Sequence, residues 1–167
     1  MEDRLSFGKI HIVEWLRPGE RRTGHEIYQA VRDMAAASNP RVAIILHRVS
    51  SRATFLARLR RIETDVRRTG KIPLLEIETH GHGDGIGLSD EGGLEWRELM
   101  EQLTPLNQLT GVRLPVIMAA CEGIWGIKMA QAMRRAPFMA LLGPNRPVFP
   151  GEIVRGMKAF YRGIFRA

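Results

Sequence analysis

Two residues with complementary chemistry follow strongly apolar segments of this chain. His80 comes directly after residues 72–79, and Cys121 comes directly after residues 114–120, 41 positions later. A thiol beside an imidazole is a nucleophile with its proton-transfer partner. A helix that begins near Gly123 would favour the thiolate, because a helix N-terminus carries partial positive charge. The two residues therefore predict a cysteine nucleophile if the fold brings the two segments together.

Glycine and polar side chains surround both residues. Gly81 lets the backbone approach a substrate carbonyl closely, and we expect its N–H and that of Cys121 to form an oxyanion hole. Trp125, just after the nucleophile, is the best candidate for shaping a substrate pocket. The full set of substrate-pocket candidates is Arg22, His82, Asp84, Glu122 and Trp125.

The elements that must position these residues alternate along the chain. The expected strands are residues 9–16, 42–49, 72–79, 114–120 and 138–142. The expected helices are residues 23–37, 51–69, 94–103, 123–135 and 151–165. Thr23 with Glu26 has the spacing of a capping box, Ser51 opens the second helix, and Gly70 ends it.

Strands separated by helices predict a mainly parallel sheet with helices on both faces. The expected fold is thus an α/β, three-layer α/β/α sandwich of five or six strands. In such sheets ligands bind beyond the carboxyl ends of the strands. Parallel neighbouring strands would place His80 and Cys121 at that same edge.

At these residues the sequence resembles the caspase-like cysteine peptidases, and within them the bacterial CHAT-like branch. The segments LLEIET before His80-Gly81 and PVIMAA before Cys121 fit the order and spacing of that family's signature. Residues 92–99, 142–144 and 160–161 are also similar to segments of that branch. The resemblance covers residues 9–165, nearly all of the chain, and implies a single caspase-like domain over residues 1–167.

The resemblance implies a cysteine endopeptidase that uses no cofactor and no metal. Cys121 attacks a peptide carbonyl and forms an acyl-enzyme. His80 protonates the leaving amine and then helps to activate the hydrolytic water. The backbone amides of Gly81 and Cys121 hold the oxyanion, and the implied partner is a protein or peptide substrate.

Some positions depart from the family pattern or leave specificity open. Relatives that cleave after basic residues often carry Asp where this chain has Ala119. Arg22 lies in a segment that resembles the one supplying an arginine for acidic substrates. In contrast, residues 73–101 carry eight acidic side chains and one basic, which favours basic substrates. Glu76 and Glu78 stand where the family is usually apolar, and we expect them to pair with arginines of the preceding helix or to lie on a poorly covered face.

Activation by cutting a linker has no room in this chain. Only a short stretch separates Cys121 from Phe138, and we expect no prodomain before Lys9. We therefore expect regulation in trans by a protein partner or by homodimerisation.

Other readings of the same residues remain. A catalytically silent caspase-like interaction module would keep the same dyad. His80, His82 and Asp84 resemble the start of a zinc loop, but Gly85 replaces its closing histidine and no histidine follows His82. An arginine-rich helix over residues 51–69 is the basis for a nucleic-acid-binding alternative, which is not the expected function.

Composition excludes several broad classes. The chain has 167 residues, 44% of them hydrophobic, and a net charge of +7, as expected for one globular domain. The single cysteine excludes an internal disulfide. No apolar run approaches the ~18 residues of a membrane span, and the first residues lack a signal-peptide pattern. The last helix has an apolar stripe that we expect to pack on the sheet rather than on a membrane. The expected location is the cytoplasm.

Overall fold

The computed structural model describes residues 7–88, 92–126 and 135–166, apart from the side chain of Trp125. The strands are β1 (Lys9–Trp15), β2 (Ala43–Arg48), β3 (Pro73–Thr79), β4 (Gly81–His82), β5 (Gly85–Ile86), β6 (Leu94–Glu95), β7 (Pro115–Ala119) and β8 (Ala140–Leu142). The helices are α1 (Thr23–Ser38), α2 (Arg52–Thr69), α3 (Trp96–Leu109) and α4 (Pro150–Arg166). A single 3₁₀ turn, Gly123–Trp125, follows β7.

Five strands form one parallel sheet in the order β2-β1-β3-β7-β8. Helices cover both of its faces, so the predicted α/β three-layer sandwich is confirmed. The short strands β4, β5 and β6 form a separate antiparallel sheet directly after β3. The carboxyl ends of β3 and β7 lie side by side, with Glu78 opposite Ala119.

One face of the sheet packs against α2 and α3 through a large apolar cluster. Val13 and Trp15 of β1 meet Phe55 and Leu59 of α2, and all four are at most 4% exposed. The rings of Trp15 and Phe55 stack with their centroids 5.3 Å apart. On each strand these side chains occupy alternate positions, which point to the same face of the sheet. On each helix they recur every three or four residues, so they form one stripe that faces the sheet.

The other face packs against α1 and α4 and buries three carboxylates among its apolar side chains. Glu14, Glu76 and Glu78 are at most 1% exposed. Tyr161 donates a hydrogen bond from its hydroxyl to Glu76, and Thr23 donates one to Glu78 at 2.5 Å. The expectation that Glu76 and Glu78 pair with arginines of α2 is wrong, because α2 lies on the opposite face of the sheet.

The two helices that follow β1 and β2 begin in different ways. Ser51 caps α2 by accepting a hydrogen bond from the amide of Thr54, and the hydroxyl of Thr54 accepts one from the amide of Ser51. The predicted capping box at Thr23 is wrong, because its hydroxyl is bonded to Glu78. The buried Glu14 instead accepts a hydrogen bond from the amide of His25 at 3.0 Å, so a strand residue caps α1.

Helix α3 continues past the predicted end at Leu103. Pro105 lies inside it and cannot donate a backbone hydrogen bond. Leu106 is buried, and the side chain of Asn107 bonds the amide of Leu114 at 3.0 Å and the carbonyl of Ala136 at 2.9 Å. These tertiary contacts hold the last turns in place, and this part of the helix was not visible in the local pattern.

Helix α4 packs on the sheet, as its apolar stripe predicts. Val154 and Tyr161 are buried, and the apolar side chains beside them pack against the same cluster. Within the described ranges, no helix is both long and apolar enough to cross a membrane.

Candidate active site

The ends of β3 and β7 touch at the backbone. A Cβ atom added to Gly81 would overlap the carbonyl oxygen of Cys121 and come within 3.1 Å of the Ala120 side chain. Only glycine can therefore occupy position 81 without moving its neighbour. The contact places the residue after His80 directly against Cys121, so the two predicted catalytic residues lie at one edge of the sheet, as expected.

His80 is oriented by a carboxylate that the sequence analysis did not single out. Its Nε2 atom lies 3.0 Å and 2.9 Å from the two carboxylate oxygens of Glu20, in the loop between β1 and α1. The amide of Arg17 donates to the same carboxylate at 2.8 Å. Burial opposes ionisation of Glu20, but the hydrogen bonds from His80 and Arg17 outweigh it and lower the pKa of Glu20.

The hydrogen bond to Glu20 selects one tautomer of His80. A neutral imidazole that donates from Nε2 carries its lone pair on Nδ1. Nδ1 is then the nitrogen that can accept a proton. Glu20 is 60 residues away in the chain, and no local motif connects it to His80. The parallel register that sets Trp15 opposite Thr79 brings the two following loops together.

Cys121 has a separate hydrogen-bond partner. Its side chain is half-buried, and the thiol donates to the carbonyl oxygen of Val148 at 3.6 Å, between β8 and α4. Among the described contacts, the thiol and the imidazole of His80 are therefore bonded to different groups rather than to each other. Reaction between them requires the thiol to turn away from Val148.

The turn after Cys121 is shorter than the predicted helix in the part that the structure describes. Glu122 has a left-handed backbone (φ 56°), and its amide donates to the carbonyl of Arg146 at 3.3 Å. The amide of Gly123 bonds Ala120 at 3.1 Å, and the 3₁₀ turn Gly123–Trp125 follows. Gly126 follows in helical conformation, and residues 127–134 of the predicted helix lie outside the described ranges.

Arg22 points toward a buried carboxylate. Its guanidinium lies 3.6 Å from Glu14 and donates to the carbonyl of Leu16 at 3.4 Å. Arg48 approaches the same carboxylate to 3.5 Å. Arg22 thus balances the charge of Glu14, in addition to any contact that it makes with substrate.

Two of the remaining substrate-pocket candidates, His82 and Asp84, lie on the hairpin that follows His80. Trp96 holds this hairpin: its indole N–H donates to the carbonyl of His82 at 3.1 Å, and its amide donates to the carbonyl of Asp84 at 3.0 Å. The Asp84 side chain is exposed, whereas Nε2 of His82 is buried and has no hydrogen-bond partner among the described residues. In the described part of the chain, no three His, Cys, Asp or Glu side chains are grouped as metal ligands. The Trp125 side chain lies outside the described atoms.

Comparison of this sequence with known proteins identifies no relative. No protein-family model matches this chain, and no curated protein is significantly similar to it. The resemblance to caspase-like peptidases therefore depends on the motifs at His80 and Cys121 and on the order of the elements around them.

Proposed function

We propose that this protein is a cysteine endopeptidase in which Cys121 is the nucleophile and His80 is the general acid and base. The observation that carries the proposal is the backbone contact between Gly81 and Cys121. It holds a thiol and an imidazole at the adjoining carboxyl ends of two parallel strands, where ligands bind in sheets of this kind. The Glu20 carboxylate supports it, because it leaves Nδ1 of His80 as the proton acceptor.

The proposed reaction is an acyl transfer in two steps. Nδ1 of His80 takes the thiol proton, and the sulfur of Cys121 forms a bond to the peptide carbonyl carbon. The C–N bond then breaks, and the imidazolium gives its proton to the leaving amine. Water, deprotonated by His80, attacks the thioester. The C–S bond then breaks to release the acid, and the imidazolium returns its proton to the sulfur of Cys121.

Negative charge develops on the oxygen of the peptide carbonyl during the reaction. Hydrogen-bond donors at the same edge of the sheet would stabilise this charge. We assign this role to the backbone amides of Gly81 and Cys121. One such donor is typically worth about 10²–10³ in kcat. Glu20 is a positioning residue, which acts on substrate only through His80.

A second function, a protein-interaction module without catalysis, is favoured by one observation. The thiol is bonded to Val148 and the imidazole to Glu20, so each group already has a partner other than its proposed catalytic one. A site in which both side chains already have other hydrogen-bond partners is compatible with a protein that does not catalyse a reaction there. The proposed peptidase requires the thiol to leave Val148 when substrate binds.

The rate of Cys121 alkylation by iodoacetamide, followed from pH 5.5 to 9, separates these functions. We expect appreciable alkylation at pH 6.5 that falls at least tenfold in His80→Ala and severalfold in Glu20→Gln. Glu26→Gln is the matched control, because Glu26 pairs with Arg21 at the surface and not with His80. A peptide library should then be cleaved by the wild-type protein and not by Cys121→Ala.

Two results would contradict the proposal. The first is an alkylation profile that His80→Ala leaves unchanged. The second is cleavage that persists in Cys121→Ala. Reactive thiol without cleavage of any peptide in the library would support the interaction module instead.

A further inference from the structure

The β2 edge of the sheet carries a row of backbone groups that face outward. In the described part of the sheet, β2 pairs only with β1. The amide of Ala43, the first residue of β2, donates to the carbonyl of Gly8, and the amide of Val49, just after β2, donates to the carbonyl of Glu14, both on the β1 side. Groups of a β-strand alternate between its two sides. The residues whose N–H and C=O groups point away from β1 are therefore Ile44, Leu46 and Arg48.

An open cavity of about 510 Å³ lies beside this row of groups. The strand contributes apolar side chains to it, and α1 contributes the rings of His25 and Tyr28, whose centroids are 6.3 Å apart. The lining residues are His25, Tyr28, Ile44, Ile45, Leu46 and Arg48. Backbone donors and acceptors thus run along one side of a groove whose lining is mainly polar, with apolar side chains from β2.

Basic side chains surround the groove. Arg48 ends β2 and is exposed, and the guanidinium of Arg32 lies 5.8 Å above the ring of Tyr28. Arg41, just before β2, is exposed as well. The acidic groups near these arginines are the buried Glu14, 3.5 Å from Arg48, and Asp33, 3.4 Å from Arg32. Arg32 and Arg48 at the groove, together with the exposed Arg41 just before β2, outnumber the two carboxylates that pair with them. This edge therefore has a small excess of positive charge, which is complementary to an acidic segment.

We propose that the β2 edge binds an extended, acidic segment of a partner protein, which adds to the sheet as a further strand. The outward groups of Ile44, Leu46 and Arg48 supply the backbone hydrogen bonds of strand addition. Alternate side chains of the segment enter the groove beside Tyr28, and its carboxylates pair with the surrounding arginines. β1 and β3 separate this edge from Cys121 and β7, so the inference does not depend on the proposed peptidase.

Amide hydrogen exchange on the intact ¹⁵N-labelled protein tests this inference. The probe is an acetylated eight-residue peptide of alternating Val and Glu, and the matched control peptide replaces every Glu with Lys. We expect the acidic peptide to slow exchange at Ile44, Leu46 and Arg48 at least tenfold. Exchange at Ile45 and His47, whose amides already face β1, should not change. The Lys peptide should leave all five amides unaffected.

Two changes then remove the backbone hydrogen bonds specifically. Leu46→Pro deletes one outward N–H without removing a bond to β1, and edge strands tolerate proline at such positions. We expect it to weaken acidic-peptide binding, measured by fluorescence anisotropy, at least tenfold. A peptide N-methylated at every second residue on its bonding edge tests the same bonds on the wild-type protein, so the result does not depend on folding of the variant.

Several outcomes would overturn the inference. These are equal binding of the Glu and Lys peptides, protection confined to residues outside β2, or unchanged binding of the N-methylated peptide. Protection of the same three amides that rises with protein concentration alone would assign the edge to a second copy of this chain. If oligothymidylate and not the peptide protected these three amides from exchange, the arginines at the groove would belong to a nucleic-acid-binding site.

Discussion

The two faces of the central sheet are both covered by helices, but they differ in what they bury. The face under α2 and α3 is filled with apolar side chains such as Trp15 and Phe55, whose packing needs no particular partner atom. The face under α1 and α4 buries Glu14, Glu76 and Glu78 within its apolar cluster. The stability of the first face depends on the volume and shape of its side chains. The stability of the second face depends also on hydrogen bonds to its carboxyl groups and on their protonation.

The carboxylates can be buried because most of their charge is removed or balanced. Burial raises the pKa of Glu76 to about 7, against the hydrogen bond from Tyr161 that lowers it. Burial and the neighbouring Glu76 raise the pKa of Glu78 well above its ordinary value. Arg22 and Arg48 flank Glu14. Isolated ionised carboxylates would be far more costly in such a core.

The largest single loss of stability is expected on the apolar face. Phe55 is 0% exposed, and Phe55→Ala should lower the free energy of unfolding by about 3–5 kcal/mol, because it removes an aromatic ring and leaves a cavity beside Trp15. Urea denaturation measures this change. Phe149→Ala is the matched control: Phe149 is 78% exposed, and its substitution should stay within about 0.5 kcal/mol. Equal losses for the two variants would mean that the α2 face is not a packed core.

The carboxylate face should make stability fall as the pH rises. The folded protein holds protons on Glu76 and Glu78 that the unfolded chain releases above about pH 4.5. Each such carboxyl therefore stabilises the folded state below that pH, and the contribution is lost as the pH rises through the folded-state pKa, with a limiting slope of about 1.4 kcal/mol per pH unit.

Glu76→Gln should flatten this dependence between pH 5 and 8, because glutamine does not titrate. The measurement is the free energy of unfolding in urea at pH 5, 6, 7 and 8. Glu101→Gln serves as the control, since Glu101 is exposed on α3 and pairs with Arg97. A slope that Glu76→Gln does not change would show that Glu76 carries no extra proton in the folded state.

A smaller effect is expected at the start of α2, the helix of the apolar face. Ser51→Ala removes the side-chain cap and should cost about 1 kcal/mol. Ser50→Ala, one residue earlier and without a cap bond from its hydroxyl, should cost less than about 0.5 kcal/mol. Thermal unfolding of the two variants compares them directly. If both cost the same, the cap at Ser51 does not stabilise the helix.

Long apolar runs made the five strands of the parallel sheet predictable to within one or two residues, whereas the short strands β4, β5 and β6 were not predicted. Parallel strands buried on both faces are nearly continuous in apolar residues. β7 follows this pattern, and β1 and β3 follow it apart from polar residues such as the buried Glu14, Glu76 and Glu78. The order of the strands and the length of α3 were not predictable in the same way. Pro105 is a local signal to stop, and the contacts of Asn107 that override it join it to residues 7 and 29 positions later in the chain.

The candidate-site residues that follow strands were predictable from the sequence, and those in loops were not. His80 and Cys121 follow two strands, so the parallel sheet alone places them at one edge. Glu20 lies in a loop, whose conformation no periodic pattern encodes, and its bond to His80 spans 60 residues. The bond between the thiol and Val148 depends on the segment before α4 in the same way.

The cap that Glu14 provides for α1 has a consequence for the order of folding. Helix α2 carries its own beginning at Ser51 and its own end at the left-handed Gly70, so its nucleus needs no other part of the chain. Helix α1 lacks a side-chain cap from its own N-cap residue and receives one from the strand. Its first turn therefore receives this cap only when β1 packs against it. We expect α2 to form early and α1 to form with or after the central strands, so that substitutions at Ser51 slow folding and substitutions at Glu14 chiefly speed unfolding.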